Sequence, residues 1–342
     1  MRSSAIGFGL IGAGEVSDFH EKGYQAAKNK GRIVAVCDLD ENKAREKAAP
    51  HKARVYTDYH QLLANTDVEA VDIMLPHFLH FPVAAAALEQ GKHVIVEKPI
   101  TVSWQEGEQL CELARRQGVR FTVAENTRYV TAYQEVEKLI REGVLGEPCL
   151  IRTFIYGSEM IRLHDPNSWV RRDKESGGGA TIDMAAHSLY LLKWLFGELK
   201  DVQAMQWQCV AETEVPDNSI VAGRLKNGAI YATQYTDTAE IPWGERLEVY
   251  GRQGSLIVDQ LHNPPAVLYR NKDDSQGRPL KSVPFDPLNW KKNSMIAEVQ
   301  AFVQAVWEDK PPLLDPMDGV YVVKMIEKAY LSARQGGIVI TA

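Results

Sequence analysis

The chain has 342 residues, of which 45% are hydrophobic, 8% aromatic and 25% charged, and its formal net charge is −6. This composition is typical of a globular protein with enough apolar residues for two domains. The negative net charge disfavours a general binder of nucleic acid or of anionic membranes, because both would repel such a surface.

The cysteines and the N-terminus indicate an intracellular protein. The four cysteines are Cys37, Cys111, Cys149 and Cys209. They lie far apart and form no Cys-x-x-Cys pair, which favours reduced thiols over a disulfide framework or a zinc site. No targeting segment precedes the first apolar run, and no apolar stretch is long enough to span a bilayer. We therefore expect a cytoplasmic protein.

The first third of the chain alternates short apolar runs with helical patterns. Strands are predicted at 5–11, 33–38, 70–75, 93–97 and 119–124. Helices are predicted at 15–27 and 82–90, and a capping box from Ser103 to Glu106 opens a further helix that stops near Gly118. This alternation is typical of α/β proteins with a doubly wound parallel sheet. We assign residues 1–125 to this domain.

The pattern changes after Asn126. Helices are predicted at 132–142, 183–196, 293–308 and 316–335, and hairpins at 219–235 and 247–258, the first with an Asn227-Gly228 turn. Residues 126–342 are therefore expected to form an α+β domain with a large, mostly antiparallel, open-faced sheet. The polar stretch 271–279 is predicted to be a mobile loop. Because an open sheet face is usually covered, we expect a homodimer or homotetramer.

The segment Gly12-Ala13-Gly14-Glu15-Val16-Ser17 follows the first predicted strand and opens a helix. Its glycines allow a tight turn and a close approach of the backbone to a pyrophosphate, which a helix N-terminus attracts. Asp38 ends the second predicted strand, where an acidic side chain accepts from ribose hydroxyls and repels a 2′-phosphate, although aspartate is also common in turns. The motif predicts a Rossmann dinucleotide-binding domain for NAD, with NADP less favoured.

Two later segments carry groups suited to catalysis. Lys98 follows a strand at the sheet edge where ligands bind, and its amine can stabilise charge on a reacting oxygen. Asp183 and His187 stand four residues apart on one face of a predicted helix, where the carboxylate can orient an imidazole that acts as a general base. Taken alone, a solvated lysine and an ordinary surface Asp–His pair are simpler interpretations.

Five sequence blocks carry a resemblance, and two of them, the block that ends in Glu97-Lys98-Pro99 and the block that ends in Asp183-x-x-x-His187, are specific when they occur together. The five blocks are Gly12-Ala13-Gly14, Pro76-x-x-x-His80, Ala87-Leu88-x-x-Gly91-x-His93-Val94-x-x-Glu97-Lys98-Pro99, Gly143-x-Leu145-Gly146-Glu147-Pro148 and Gly177-Gly178-Gly179-x-x-x-Asp183-x-x-x-His187. With them the chain resembles, over essentially its whole length, the glucose-fructose oxidoreductase / inositol dehydrogenase / MocA (Gfo/Idh/MocA) family.

The resemblance implies an NAD-dependent dehydrogenase that oxidises a secondary hydroxyl of a sugar, a sugar derivative or an inositol-like cyclic polyol. It makes Lys98, Asp183 and His187 the catalytic set: His187 takes the hydroxyl proton, Asp183 orients His187, and Lys98 stabilises the forming carbonyl oxygen. It also implies cofactor contacts from Gly12, Gly14, Glu15, Val16, Asp38, Pro76, His77, His80, Glu97, Lys98 and Asn126.

Weaker candidates for the substrate side are Arg128, Arg162, Trp169, Arg171 and Tyr190. Trp169 can stack on a sugar, and an arginine can meet a carboxylate or phosphate, but a solvated loop explains these residues equally well. Tyr190 stands where many family members carry an aspartate, which leaves the identity of the sugar open. His77 and His80 have no acidic or cysteine partner nearby in the sequence, so no metal is expected.

Two rival functions stay open. An enzyme that retains NAD, oxidises a sugar transiently and then eliminates a group would carry a similar lysine and histidine set. A non-catalytic NAD-binding regulator would share the fold but would need neither Lys98 nor the Asp183–His187 pair. Stoichiometric NADH from a free polyol favours the dehydrogenase, and product cleavage without net NADH favours the glycosidase or lyase.

Overall fold

The computed structural model describes residues 4–270, 277–280 and 289–342, and of Lys28 the backbone alone. They form two compact units, Met1–Asn126 with Lys291–Tyr321, and Thr127–Trp290 with Val322–Ala342. The first change of unit falls beside the predicted boundary at residue 125. The segment Lys291–Tyr321 lies in the first unit, whereas the sequence pattern assigned it to the second domain.

The first unit contains a six-stranded parallel sheet. Its strands are β1 (Ile6–Ile11), β2 (Gly31–Cys37), β3 (Arg54–Tyr56), β4 (Ala70–Ile73), β5 (His93–Glu97) and β6 (Phe121–Ala124). They are arranged in the order β3-β2-β1-β4-β5-β6, so the order reverses between β1 and β4. The carboxyl ends of these two strands therefore border the crevice where doubly wound sheets bind ligands. The predicted doubly wound fold is confirmed.

The second unit contains a nine-stranded sheet. Its strands are β7 (Pro148–Tyr156), β8 (Asp201–Trp207), β9 (Asn218–Arg224), β10 (Ile230–Thr236), β11 (Gly244–Gly251), β12 (Ser255–Asp259), β13 (Ala266–Tyr269), β14 (Arg278–Pro279) and β15 (Ile340–Thr341). The order is β14-β13-β12-β11-β7-β10-β9-β8-β15, and neighbouring strands are antiparallel except β7 and β10. The predicted antiparallel sheet is confirmed. Residues 271–276 of the predicted loop lie outside the described residues.

The helices in chain order are α1 (Ser17–Ala26), α2 (Glu41–Ala48), α3 (Tyr59–Leu63), α4 (His80–Glu89), α5 (Trp104–Gln117), α6 (Thr131–Arg141), α7 (Met160–His164), α8 (Asp173–Ser176), α9 (Ala180–Phe196), α10 (Trp290–Glu308) and α11 (Pro316–Arg334). In the part of the chain that the structure describes, none of them is both long and apolar enough to cross a membrane.

Helix α10 joins the first unit because it packs on α1 and on the core of the first sheet. A Cβ added to Gly23 of α1 would lie 2.5 Å from Cβ of Val299, so the two helices meet closely. The ring of Phe8 lies 4.7 Å from that of Tyr24 and 6.2 Å from that of Phe302, and all three are buried. Burial of each ring contributes about 2 to 3 kcal/mol. Helical periodicity alone does not reveal which sheet a helix covers.

Helix α9 packs against β7, β9 and β10, and most of its side chains are buried. On β8 and β10 of the same sheet, side chains alternate between buried and more exposed positions, as expected for one covered face. Met205, Trp207 and Ile230 are 62%, 70% and 55% exposed. The second sheet therefore presents apolar side chains on its outer face.

The predicted capping box at Ser103 is wrong. Helix α5 begins at Trp104 as expected, but the Ser103 hydroxyl donates to Oε1 of Gln105 at 2.7 Å and caps no helical N–H among the described residues. The end of the helix agrees with the prediction, because Gly118 has a left-handed φ of 67° that favours glycine.

Candidate functional site

The glycine segment after β1 forms a tight turn at the carboxyl edge of the first sheet. Gly12 has a φ of 104°, and a Cβ there would lie 2.2 Å from the carbonyl oxygen of Met74, so a side chain does not fit. A Cβ built on Gly14 meets no heavy atom within 4 Å. The turn therefore leaves open space in front of Gly14, as the approach of a pyrophosphate requires.

Ser17 occupies the third small position of the motif. It is fully buried, and its hydroxyl donates to the carbonyl oxygen of Gly14 at 2.6 Å, which closes the turn from the inside. Glu15 and Val16 are exposed and precede α1, which begins at Ser17 and not at Glu15 as predicted. They lie where the positive end of the helix dipole favours an anion.

Asp38 connects the end of β2 to the glycine turn. Its Oδ2 accepts a hydrogen bond from the backbone N–H of Ala13 at 2.7 Å, and its Oδ1 accepts from that of Asp40 at 2.9 Å. The side chain is half-buried. Each carboxylate oxygen has a second lone pair, so Asp38 holds the turn and can still accept from ribose hydroxyls. The turn, the helix end and this acid together fit an NAD-type dinucleotide.

His80 links two of the predicted cofactor segments. Its Nδ1 lies 2.7 Å from the carbonyl oxygen of Pro99, and its Nε2 lies 2.8 Å from that of Leu75. Burial lowers the pKa of this fully enclosed imidazole, although the hydrogen bonds to the two carbonyl oxygens oppose the shift. Pro76 and the buried His77 precede it, and the His77 and His80 rings lie 5.7 Å apart. His80 thereby joins the segment after β4 to the segment after β5.

Glu97 and Lys98 lie at the carboxyl end of β5, beside the crevice. Glu97 Oε2 accepts from the backbone N–H of Lys98 at 3.1 Å, and the Lys98 side chain is half-buried. Glu97 Oε1 lies 2.9 Å from Nε2 of His20, a residue that the sequence analysis did not select. The other partner of His20 is Asp72, in the apolar strand β4. The sequence could have indicated this cluster, because a charged residue inside an apolar run requires a buried partner.

Asn126 ends the first part of the first unit. It is buried, and its Nδ2 donates to the hydroxyl oxygen of Ser294 in α10 at 2.8 Å. The amide therefore ties the loop after β6 to α10. A cofactor contact from Asn126 stays a prediction.

Asp183 and His187 lie one turn apart on α9, as the spacing predicted. His187 is buried, and its Nδ1 lies 3.4 Å from the hydroxyl oxygen of Thr127, whereas Asp183 is half-buried in the first turn of the helix. Both residues belong to the second unit, and Lys98 belongs to the first. Helix α9 therefore carries both Asp183 and His187, and a helix holds side chains in fixed positions that suit general base chemistry.

The glycines before α9 accommodate other parts of the chain. Gly178 has a φ of 121°, and a Cβ there would lie 2.1 Å from the hydroxyl oxygen of Tyr330, which donates to the Gly178 carbonyl at 2.9 Å. A Cβ on Gly179, at a φ of 68°, would lie 2.6 Å from the carbonyl oxygen of Pro216. These two glycines therefore allow α11 and the loop before β9 to approach closely.

Asp237 is a buried carboxyl near Asp183 that the sequence analysis missed. It follows β10, and its backbone bonds to Asp217 and Glu159. Its Oδ1 has no hydrogen-bond partner among the described residues. Burial, together with the negative charges of Asp183, Glu159 and Asp217, raises its pKa to about 8. A carboxyl group that is mostly protonated at pH 7 is rare in proteins, and groups with such shifted pKa values occur most often at functional sites.

The weaker substrate candidates have partners within the second unit. The Arg128 guanidinium lies 4.1 Å from the Trp194 ring and 3.5 Å from Glu137. Tyr190 is buried, with its ring 6.3 Å from that of Trp194. These contacts give Arg128 and Tyr190 a packing role beside α6 and α9.

The other three substrate candidates, Arg162, Trp169 and Arg171, lie between β7 and α8. Arg162 lies 3.2 Å from Glu159 and 5.6 Å from the ring of Trp169. Arg171 donates to the carbonyl oxygen of Glu212. Arg162, in α7, and Trp169 therefore lie close together, and Arg171 connects this segment to Glu212.

Comparison with protein families places both units in one group. Residues 6–125 match the Gfo/Idh/MocA oxidoreductase family model described as an NAD-binding Rossmann fold, and residues 137–341 match the model of its C-terminal alpha/beta domain. The chain belongs to this family. The resemblance carried by the sequence blocks is confirmed, and so are the NAD-binding domain and the class of NAD-dependent oxidoreductase.

Three similar proteins illustrate the range of this Gfo/Idh/MocA family. An uncharacterised oxidoreductase of Synechocystis sp. is 33% identical over 241 residues, which cover 66% of this chain and 64%, less than two thirds, of that protein. A myo-inositol 2-dehydrogenase of Thermotoga maritima is 23% identical over 91% of each chain. The crystal structure of GenD2 from gentamicin A biosynthesis, in complex with NAD, is 26% identical, with a TM-score of 0.87 over 100% of this chain and 97% of that chain.

Proposed function

We propose that this protein is an NAD-dependent dehydrogenase that oxidises a secondary hydroxyl of a sugar, a sugar derivative or an inositol-like cyclic polyol. The observation that carries the proposal is the Asp183–His187 pair on α9, in a chain that also bears Lys98 at the ligand-binding edge of an NAD-binding sheet. The Thermotoga relative, a myo-inositol 2-dehydrogenase, supports a cyclic polyol as one substrate class.

The first unit would hold the cofactor. Gly12 and Gly14 leave room for the pyrophosphate, Glu15 and Val16 lie at the helix end that attracts its charge, and Asp38 can accept from the ribose hydroxyls. Bound NAD supplies the acceptor for a hydride from the carbinol carbon. Asp38 would repel the 2′-phosphate of NADP.

The proton of the substrate hydroxyl would pass to His187. Its Nδ1 lies on the side of the Thr127 hydroxyl, so we assign proton transfer to Nε2. Asp183, one turn earlier, would stabilise the imidazolium that forms. Lys98 would donate a hydrogen bond to the substrate oxygen and stabilise charge as the carbonyl develops.

A substrate panel tests the proposal. Purified protein is incubated with sugars, inositols and sugar acids and with either NAD or NADP, and NADH or NADPH absorbance is followed. We expect NAD-dependent activity with at least one polyol and a loss of about 100-fold in His187→Ala, the usual contribution of a general base. His164→Ala is the matched control, because His164 is an exposed histidine at the end of α7. A loss below threefold in His187→Ala would remove His187 from its role.

We also propose that the protein is a homodimer or homotetramer assembled through the outer face of the second sheet. Met205 and Ile220 are paired across β8 and β9, and Trp207 and Ile230 extend the same apolar face. An exposed face of this kind is typical of subunit interfaces. Sedimentation analysis should give an oligomer for the wild type and a monomer for Trp207→Glu/Ile230→Glu. A wild-type monomer would contradict this assembly.

A further inference from the structure

A buried ionic cluster lies behind the Glu-Lys-Pro segment of the first unit. His20, on α1, places Nδ1 2.8 Å from Oδ2 of Asp72 and Nε2 2.9 Å from Oε1 of Glu97. The hydroxyl of Tyr24, also on α1, donates to the same Asp72 oxygen at 2.9 Å. Oε1 of Glu298, on α10, lies 3.8 Å from Nε2 of His20. The side chains of His20 and Asp72 have no solvent exposure.

The geometry determines the charge of His20. Ionised carboxylates only accept hydrogen bonds, so both ring nitrogens must donate, and only the imidazolium form does this. Burial opposes the charge, but Asp72 and Glu97 outweigh it and raise the pKa of His20 well above 6.5. His20 is therefore a cation shared between two carboxylates.

Glu298, the third carboxyl group near His20, differs from Asp72 and Glu97 in its hydrogen bonding. It is buried, and neither of its carboxyl oxygens has a hydrogen-bond partner among the described residues. Burial and the carboxylates of Glu97, Glu125 and Asp72 raise its pKa well above 4.5, although the charge of His20 opposes them. Glu298 therefore holds its proton more tightly than an ordinary glutamate does, and it lies farther from His20 than Asp72 and Glu97 do.

Glu97 connects the cluster to the proposed catalytic lysine. One carboxylate oxygen is fixed by His20, and the other accepts from the backbone N–H of Lys98. Lys98 and His80 also act electrostatically on Glu97. We propose that His20 is a positioning residue for the oxidation: it clamps Glu97 and thereby fixes the backbone from which Lys98 extends. This inference rests on the proposed function, because it matters for catalysis if Lys98 meets the substrate.

The first test is His20→Gln. The glutamine amide offers one donating and one accepting end to two carboxylates, so Glu97 loses its clamp. We expect kcat to fall about 10- to 100-fold, the scale expected when a catalytic group is misplaced, while KM for NAD changes less than about threefold. His51→Gln is the matched control, because His51 also pairs with a carboxylate, Glu21, at 2.7 Å but lies away from Glu97. A kcat within twofold of wild type overturns the proposal.

The second test is Asp72→Asn, which preserves shape and keeps the His20–Glu97 contact. Loss of one carboxylate lowers the pKa of His20, so the clamp opens at a lower pH than in the wild type. We expect kcat to fall on the alkaline side at least one pH unit earlier than in the wild type. A role in stability alone would lower the melting temperature and leave the pH profile unmoved, and superimposable profiles overturn the proposal.

A spectroscopic test does not depend on activity. The chain has nine histidines, and in ¹⁵N-histidine-labelled protein we expect one imidazolium signal to persist at pH 8.5 and to be lost in His20→Gln. Absence of this signal from wild-type protein overturns the clamp. Its presence in a protein that reduces no NAD with any substrate leaves the ionic cluster intact and refutes the proposed function instead.

The last test asks whether a protonated His20 or a bound metal ion holds the carboxylates of this cluster together. His20, Glu97 and Glu298 are close enough to bind a metal together. We expect purified protein to contain no stoichiometric metal, and Glu298→Gln, which keeps the shape of the side chain and removes the ionisable group, to keep kcat within twofold. Stoichiometric metal that is lost in Glu298→Gln overturns the proposal.

Discussion

Asp237→Asn should stabilise the second unit at high pH but not at low pH. The folded state raises the pKa of Asp237 from an ordinary value near 3.8 to about 8. The folded carboxyl therefore holds its proton while the unfolded one ionises, so the free energy of unfolding falls as pH rises between these values. The slope is at most about 1.4 kcal/mol per pH unit, which gives about 4 kcal/mol between pH 4 and pH 7.

The asparagine variant removes this pH dependence, because an amide does not titrate in this range. Its buried amide also lacks partners, which costs about 1 to 3 kcal/mol. The titration contributes about 5 kcal/mol by pH 8, so we expect the variant to be more stable than wild type by about 2 to 4 kcal/mol at pH 8, and equal or less stable at pH 4.5. Urea denaturation at both pH values measures the difference.

The exposed Glu147, which pairs with Arg252 at the surface, supplies the control. Glu147→Gln should change the free energy of unfolding by less than about 0.5 kcal/mol at either pH. If Asp237→Asn changes stability equally at pH 4.5 and pH 8, the carboxyl is not held protonated by the fold, and the argument from burial and neighbouring charge is wrong.

Two further substitutions test other parts of the site. Asp38→Ser removes the charge that would repel a 2′-phosphate, so the ratio of kcat/KM for NADP to that for NAD should rise by about 10-fold or more; an unchanged ratio would mean that Asp38 only holds the turn at Ala13. Gly178→Ala places a Cβ 2.1 Å from the Tyr330 hydroxyl at a φ of 121°, and urea denaturation should show a loss of about 2 to 4 kcal/mol. A loss below 0.5 kcal/mol would show that Tyr330 moves aside freely.

The strands of the first sheet could be predicted from the sequence because short local patterns specify them. Strand β1 is a continuous apolar run, β4 is apolar apart from Asp72, and β5 has an apolar centre. Gly12 and Gly118 stand where the backbone has positive φ. The glycine turn and Asp38 were found for the same reason: their spacing follows from the length of one strand, one helix and the next strand. Local rules of this kind need no knowledge of distant contacts.

The contacts that the sequence did not reveal are long-range. His20 pairs with residues 52 and 77 positions away, and only the parallel order of β4 and β5 brings Asp72 and Glu97 to it. Residue type indicated that Asp72 needed a partner, but not which one. Arg128 illustrates the same limit, because an arginine suited to a substrate anion packs on Trp194.

Helix α10 shows why domain boundaries are harder to predict than elements. Its position in the chain suggested the second domain, but Val299 and Phe302 pack on Gly23 and Phe8 of the first unit. The apolar pattern predicts that one face of the helix is buried, but it does not indicate which sheet covers that face. The proposed catalytic residues are divided in the same way, since Lys98 belongs to the first unit and His187 to the second.

A double-mutant cycle on Lys98 and His187 tests most directly whether these groups act on one substrate. The kcat/KM of Lys98→Met, His187→Ala and the double variant is measured with NAD and the best polyol of the panel. Groups that act as one unit give strongly non-additive losses, so the double variant should be no more than about threefold worse than the slower single variant. Fully multiplicative losses, or a Lys98→Met variant as active as wild type, would contradict a shared reaction centre.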